Sequence, residues 1–185
     1  MTRLFVAIGG VPASGKSTLA HQLAPALGLP LLAKDTINHG LMDALGDPAD
    51  VEASRELGRA AVHALLALAA DNTGAVLDST WYPYTVPLLR ALPAPIVEVR
   101  CHVPVTVAQQ RYRARMPTRR TGDVQAQHPD SELWASAHGE PLGVGPVVRV
   151  ETDRPVDVAA VVEQVMAHRR HLTVAAERGG AEDRA

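Results

Sequence analysis

Residues Gly10-Val11-Pro12-Ala13-Ser14-Gly15-Lys16-Ser17 form a complete G-x-x-x-x-G-K-S pattern, a set of residue types suited to gripping a polyphosphate. Gly10 and Gly15, with Ala13 and Ser14 between them, let backbone N–H groups turn inward around phosphate oxygens. Lys16 reaches the outer phosphates, and the Ser17 hydroxyl can ligate the Mg²⁺ that neutralises them. Thr18 continues into a helix whose positive N-terminal end points at the same anion. Two acids extend the set: Asp35 is a candidate general base for an acceptor hydroxyl, and Asp78 a candidate holder of Mg²⁺ or its water shell. Arg111 and Arg115 are four apart, so they share a helix face and could close over a transferred group. Together these types would carry phosphoryl transfer from ATP. Each also has a plainer role open to it. Asp35 could cap a helix beginning at Thr36, Asp78 could be a turn acid, and the arginines could be a solvated helix end.

These side chains can meet only if the elements between them bring them to one edge. Residues 3–8, apolar from Leu4 to Ile8, predict a strand running straight into the phosphate loop, and residues 15–27 a helix ended by Gly28 and Pro30. Leu31-Leu32-Ala33 reads as a second strand. Helices are expected near 36–45 and 51–71, parted by Gly46-Asp47-Pro48, with Leu57, Ala61, Leu65 and Leu68 on the buried face of the second. Ala75-Val76-Leu77 and residues 96–103 read as strands three and four, and Pro104 opens a helix to Arg115. Val147-Val148-Arg149-Val150 is the fifth strand. A last helix starts by Pro155 and buries Val158, Val161, Val162, Val165 and Met166. Short apolar strands alternating with helices imply an α/β three-layer sandwich around a five-stranded parallel sheet. In such sheets ligands bind at the carboxyl ends of the strands, which is where Asp35 and Asp78 fall. Residues 117–145 have few apolar positions and no period, so a lid is expected over about 104–145. Residues 1–173 read as one domain, and the polar, Gly-rich 174–185 as a tail.

Composition narrows the class. A chain of 185 residues with 46% apolar content can bury a sizeable core, built mainly from Ala, Val and Leu because aromatics are only 3%. The net charge of −2 provides no general attraction to nucleic acid or acidic membranes. One cysteine excludes an internal disulfide, and neither a signal peptide nor a membrane-length apolar run is present; a soluble cytoplasmic protein is expected. The eight histidines show no paired ligand spacing on one element.

The phosphate loop, Lys34-Asp35, Asp78-Ser79-Thr80 and Gln110-Arg111-Tyr112-Arg113-Ala114-Arg115 resemble the small P-loop kinases related to polynucleotide 5′-kinase, a group that includes zeta toxins and chloramphenicol phosphotransferase. The resemblance covers about residues 3–115 and, weakly, 146–166. It implies that Asp35 is the base, that Asp78 assists at the metal, and that Arg111 and Arg115 bind the donor phosphates. It also implies that adenine lies near Thr152-Asp153-Arg154-Pro155, with Arg154 among the cofactor-binding residues. The chain departs from nucleic-acid kinases in its nearly neutral stretch Thr36-Ile37-Asn38-His39 and in lacking a basic groove with stacking aromatics. The Ala- and Leu-rich helices between strands two and three suit a small, uncharged or weakly polar acceptor. The leading expectation is therefore an ATP-dependent kinase for a small-molecule hydroxyl. A polynucleotide 5′-hydroxyl kinase and a non-kinase nucleotide switch or ATPase remain the alternatives. The acceptor, the choice of ATP over GTP and the oligomeric state are left open.

Overall fold

The computed structural model describes residues 4–115, 134 and 140–182, with side chains described up to Leu172. Most of the expected lid, including Arg119 and Arg120, lies outside the described residues.

Five parallel strands form one sheet in the order β2-β3-β1-β4-β5. They are β1 (Leu4–Gly9), β2 (Leu31–Ala33), β3 (Gly74–Asp78), β4 (Ile96–His102) and β5 (Val147–Glu151). The helices are α1 (Lys16–Leu27), α2 (Lys34–Leu45), α3 (Val51–Ala70), α4 (Val86–Arg90), α5 (Val105–Arg115) and α6 (Val158–Glu182), and Pro83–Thr85 form a single 3₁₀ turn. β1 is buried at every position because both sheet faces are covered. On one face Leu4, Val6 and Ile8 pack with Leu19 and Leu23 of α1 and Val161 and Val165 of α6. On the other, Phe5 and Ala7 pack with Val62, Leu65 and Leu66 of α3 and with Trp81 and Leu89. This is the expected α/β sandwich. Its consequence for chemistry is that β1, β2 and β3 end side by side, with Ala33 paired to Asp78 and Asp78 to Ile8.

Local differences have physical causes. α2 begins at Lys34, two residues before the expected start, so Asp35 sits inside its first turn, and Ala33, which makes no side-chain cap, precedes it. Asp35 is therefore not the cap. On α3 the buried residues are Ala61, Val62, Leu65, Leu66 and Ala69, whereas Leu68 is exposed. The buried stripe follows the i, i+1, i+4 rows and leaves Leu68 outside it. The 3₁₀ turn and α4 were hidden in sequence by Pro83, Pro87, Pro93 and Pro95, which obscure any helical period. α6 starts at Val158, with the Asp157 carboxylate accepting from the Ala160 N–H at 3.1 Å. It runs on to Glu182, past residue 173 where the tail was expected. Val174 to Arg178 are adequate helix formers, and only Gly179-Gly180 oppose the helix.

The chain returning to β5 is firmly held. Glu98, fully buried in β4, accepts the Leu142 N–H at 2.7 Å and the Val144 N–H at 2.8 Å. Arg90 donates to the Gly143 carbonyl at 3.0 Å. At Gly145 a β-carbon would collide with the Ile96 carbonyl, so only glycine lets the two backbones approach.

Candidate active site

The loop between β1 and α1 adopts backbone conformations that most side chains forbid. Gly10 has φ +148°, and a β-carbon there would stand 2.6 Å from both the Cys101 carbonyl and Ser14 Oγ. Ala13 sits at φ +57°, the one non-glycine residue with positive φ among the described residues. A left-handed alanine costs on the order of 1–2 kcal/mol, strain that the surrounding packing must hold. Two contacts do so. Ser14 N–H donates to the Val11 carbonyl at 3.2 Å, and the Ser14 carbonyl accepts from Thr152 Oγ1 at 2.6 Å. Thr152 follows β5 directly and is buried; its N–H also bonds the His102 carbonyl at 2.9 Å. The loop is thus tied to the far side of the sheet.

Lys16 is buried, and its Nζ donates to the Val11 carbonyl at 2.9 Å, folded back over the loop it serves. Burial lowers its pKa, while Asp78 and Asp35 act in the opposite sense. Asp78 is buried at the end of β3. Burial raises its pKa, and a hydrogen bond from the Ser17 hydroxyl together with the Lys16 charge works against that rise. Asp35 also pushes Asp78 upward, and Ala33, two residues before Asp35, is paired with Asp78 across the sheet. Lys16, Ser17, Asp78 and Asp35 therefore converge. Unlike Asp78, Asp35 is open to solvent, with 65% of its side chain exposed and a 3.4 Å ion pair to Lys34.

The hydroxyl of Ser17 and the carboxylate of Asp78 are hard oxygen donors of the kind Mg²⁺ accepts. Among the described residues no cluster of three or more His, Cys, Asp or Glu comes together that could hold a metal ion otherwise. On the other flank of the loop lies an open pocket of about 310 Å³, lined by Gly15, Thr18, Leu19, Arg111, Arg115 and Arg154, with Thr152, Pro155 and Val156. The arginines expected to clamp phosphate are thus walls of this pocket. Arg111 Nη2 also donates to the Thr152 carbonyl at 2.9 Å, holding the β5 loop in place. Trp134, the one described residue between 116 and 139, packs edge-on against Tyr112 of α5 at 5.6 Å.

The AAA_33 family, an AAA domain, matches residues 5–133. The chain belongs to this family. No curated protein matches it. A provisionally named kinase from Chloroflexus aurantiacus j-10-fl has a similar structure, with a TM-score of 0.79 at 28% identity over 91% of this chain and 99% of its own. A gluconokinase from Sinorhizobium meliloti 1021 superimposes with a TM-score of 0.59 at 18% identity over 96% and 98% of the two chains. A shikimate kinase from Acinetobacter baumannii does so with 0.59 at 19% identity over 90% and 92%. At those identities the last two show the fold alone, that of the small P-loop kinases.

Three features of the site escaped the sequence reading. Thr152 gave no local signal as the tether of the loop. Glu98 and Arg100 did carry one, being charges at alternate positions of an otherwise apolar strand, and both are buried beneath the site. The third is the turn Trp81 to Tyr84, whose Trp81 Nε1 donates to the Ile8 carbonyl at 2.9 Å. Among the described residues no helix is long and apolar enough to cross a membrane.

Proposed function

We propose that this chain is an ATP-dependent kinase that transfers the γ-phosphoryl group to a hydroxyl of a small molecule in the cytoplasm. The observation that carries the reading is the convergence of a buried lysine, the Ser17 hydroxyl on the buried Asp78 carboxylate, and the solvent-open Asp35 carboxylate at one edge of the sheet. A nucleotide switch has no use for an open carboxylate beside its phosphates, whereas an acceptor hydroxyl needs one. In this reading Gly10, Ala13, Ser14, Gly15, Lys16, Ser17 and Thr18 hold the phosphates by backbone N–H groups and the lysine charge. In the pocket beside the loop Arg111 and Arg115 bind the donor phosphates, and Thr152, Arg154 and Pro155 receive the adenine. Asp35 takes the proton of the acceptor hydroxyl as its oxygen bonds the γ-phosphorus and the bond to ADP breaks. Ser17 and Asp78 are the Mg²⁺ holders, and the ion supplies charge neutralisation on the phosphates when bound.

Related folds support the donor: an APS kinase from Mycobacterium tuberculosis, similar in fold with a TM-score of 0.59 at 20% identity, was solved with AMPPNP and APS. The motif likeness to polynucleotide kinase, zeta toxin and chloramphenicol phosphotransferase keeps a strand-end acceptor as the runner-up. The net charge of −2 weighs against it, because strand binding is driven by neutralising several phosphates. The test offers γ-labelled ATP with a panel of hydroxyl compounds, with a 5′-hydroxyl oligonucleotide and with water alone. Label on a small molecule above the water background is expected. Efficient, salt-sensitive labelling of the oligonucleotide would replace the proposal with the runner-up, and turnover no faster than with water would leave a switch.

A further inference from the structure

Resting on the reading of the pocket beside the phosphate loop as part of the donor site, we infer that Thr152 couples occupancy of that pocket to the grip of the loop. The site thereby selects a nucleoside triphosphate over a bare polyphosphate. Thr152 stands between the two halves of the donor site and is buried. On the pocket side it lines the 310 Å³ space together with Arg154 and Pro155. Its carbonyl there accepts Nη2 of Arg111, another wall of the pocket, at 2.9 Å. On the loop side its hydroxyl donates to the Ser14 carbonyl at 2.6 Å. The threonine also lies against the next loop residue, where a β-carbon on Gly15 would touch Thr152 Cβ at 3.5 Å.

The hydroxyl has one proton and two carbonyls in reach, that of Ser14 at 2.6 Å and that of His102 at 2.9 Å. The His102 carbonyl already receives the Thr152 N–H at 2.9 Å, so the proton serves Ser14, which is fully buried and has no water to turn to. This bond adjoins Ala13, held at φ +57°, a conformation that an alanine abandons once nothing holds it. The loop therefore has two arrangements. In the clamped one the Ser14 carbonyl is on Thr152 and Ala13 is left-handed; in the relaxed one both are given up. The Arg111 bond to the Thr152 carbonyl is part-buried and borders the open pocket, where water competes for it. A base seated there excludes that water and strengthens the bond, which keeps the Thr152 backbone, and with it the hydroxyl, in place for the clamped loop. Base and polyphosphate thus favour the same arrangement, and each must tighten the other by the same factor. A bare polyphosphate holds the loop without that help.

The experiment measures Kd for Mg-ATP and for Mg-tripolyphosphate on the full chain by titration calorimetry, and reads the ratio of the second to the first. Thr152→Val loses the hydroxyl, and the ratio should fall about five-fold or more. Thr152→Ser keeps the donor and should hold the ratio within about two-fold of wild type. A threonine that served only to brace the loop would weaken both ligands alike and leave the ratio where it was. A second measurement needs no variant: saturating adenosine should tighten Mg-pyrophosphate binding to the wild-type chain by about five-fold or more. An unaltered ratio in Thr152→Val, or pyrophosphate affinity indifferent to adenosine, would overturn the coupling and leave the donor site standing. Failure of the wild-type chain to bind either Mg-ATP or Mg-tripolyphosphate would overturn both.

Discussion

Replacing Glu98 by Gln probes how the chain leaving the lid region is fastened beneath the site. The carboxylate is fully buried and accepts two backbone N–H groups, from Leu142 at 2.7 Å and Val144 at 2.8 Å. It also supports the buried Arg100 guanidinium two residues along, whose pKa burial lowers and Glu98 raises. Glutamine keeps the shape but turns one acceptor into a donor, leaving one of the two N–H groups facing another donor. A buried donor stranded in this way costs about 1–3 kcal/mol. Removing the negative partner of a buried cation costs about 3–5 kcal/mol in measured cases. The two effects overlap, so the whole change should fall near 3–5 kcal/mol, a large share of the roughly 5–15 kcal/mol that holds a domain folded. At about 2–4 °C per kcal/mol for a chain of this size, the melting temperature should drop by roughly 6–20 °C. Calorimetry reads that drop, and hydrogen exchange should accelerate at Leu142 and Val144. A fall of under about 2 °C with unchanged exchange at both amides would refute the reasoning, because the bonds would then contribute nothing net.

Further outcomes follow from the same geometry. Lys16→Ala should weaken Mg-ATP binding by about 2–3 kcal/mol, roughly 30- to 150-fold in Kd by titration calorimetry, and unchanged affinity would contradict the assigned contact. Asp35→Asn should melt near the wild-type temperature, since the side chain is 65% exposed, yet lose at least about 10²-fold in turnover. Equal turnover would reduce Asp35 to a surface acid. Thr152→Val keeps its volume but strands the Ser14 carbonyl, so it should cost about 1–3 kcal/mol of stability and weaken nucleotide binding; wild-type values for both would remove Thr152 as the tether. Burial pushes the Cys101 thiol up to about 12 from 9.0, so at pH 8 the folded thiol should react with a disulfide reagent about 10³-fold more slowly than the unfolded chain. Because the folded-state pKa is the higher one, the associated stability is complete below pH 9 and lost as pH rises towards about 12. Fast labelling of the native protein would overturn this.

The sequence alone determined those features whose physical cause is local. A phosphate loop is a property of eight consecutive residues, so Gly10 to Ser17 were legible without any fold. The strand and helix order was legible because β1, β3, β4 and α6 carry apolar periods of the right length, and parallel-sheet geometry then set Asp35 and Asp78 at the same edge. Only the tertiary structure decided what depends on long-range contact. Thr152 reaches Ser14 across 138 residues, and Glu98 binds Leu142 and Val144 across more than 40, separations over which no residue pattern encodes contact. The same is true of Arg111, whose helix position was readable but whose bond to the Thr152 carbonyl depends on how β5 lies beside β4. The prolines of residues 83–95 masked the turn that carries Tyr82 and Tyr84. Lys34 comes to lie beside Gly58 only when α2 packs on α3, because composition sums charge over the chain and a site is built from the few charges that folding brings together.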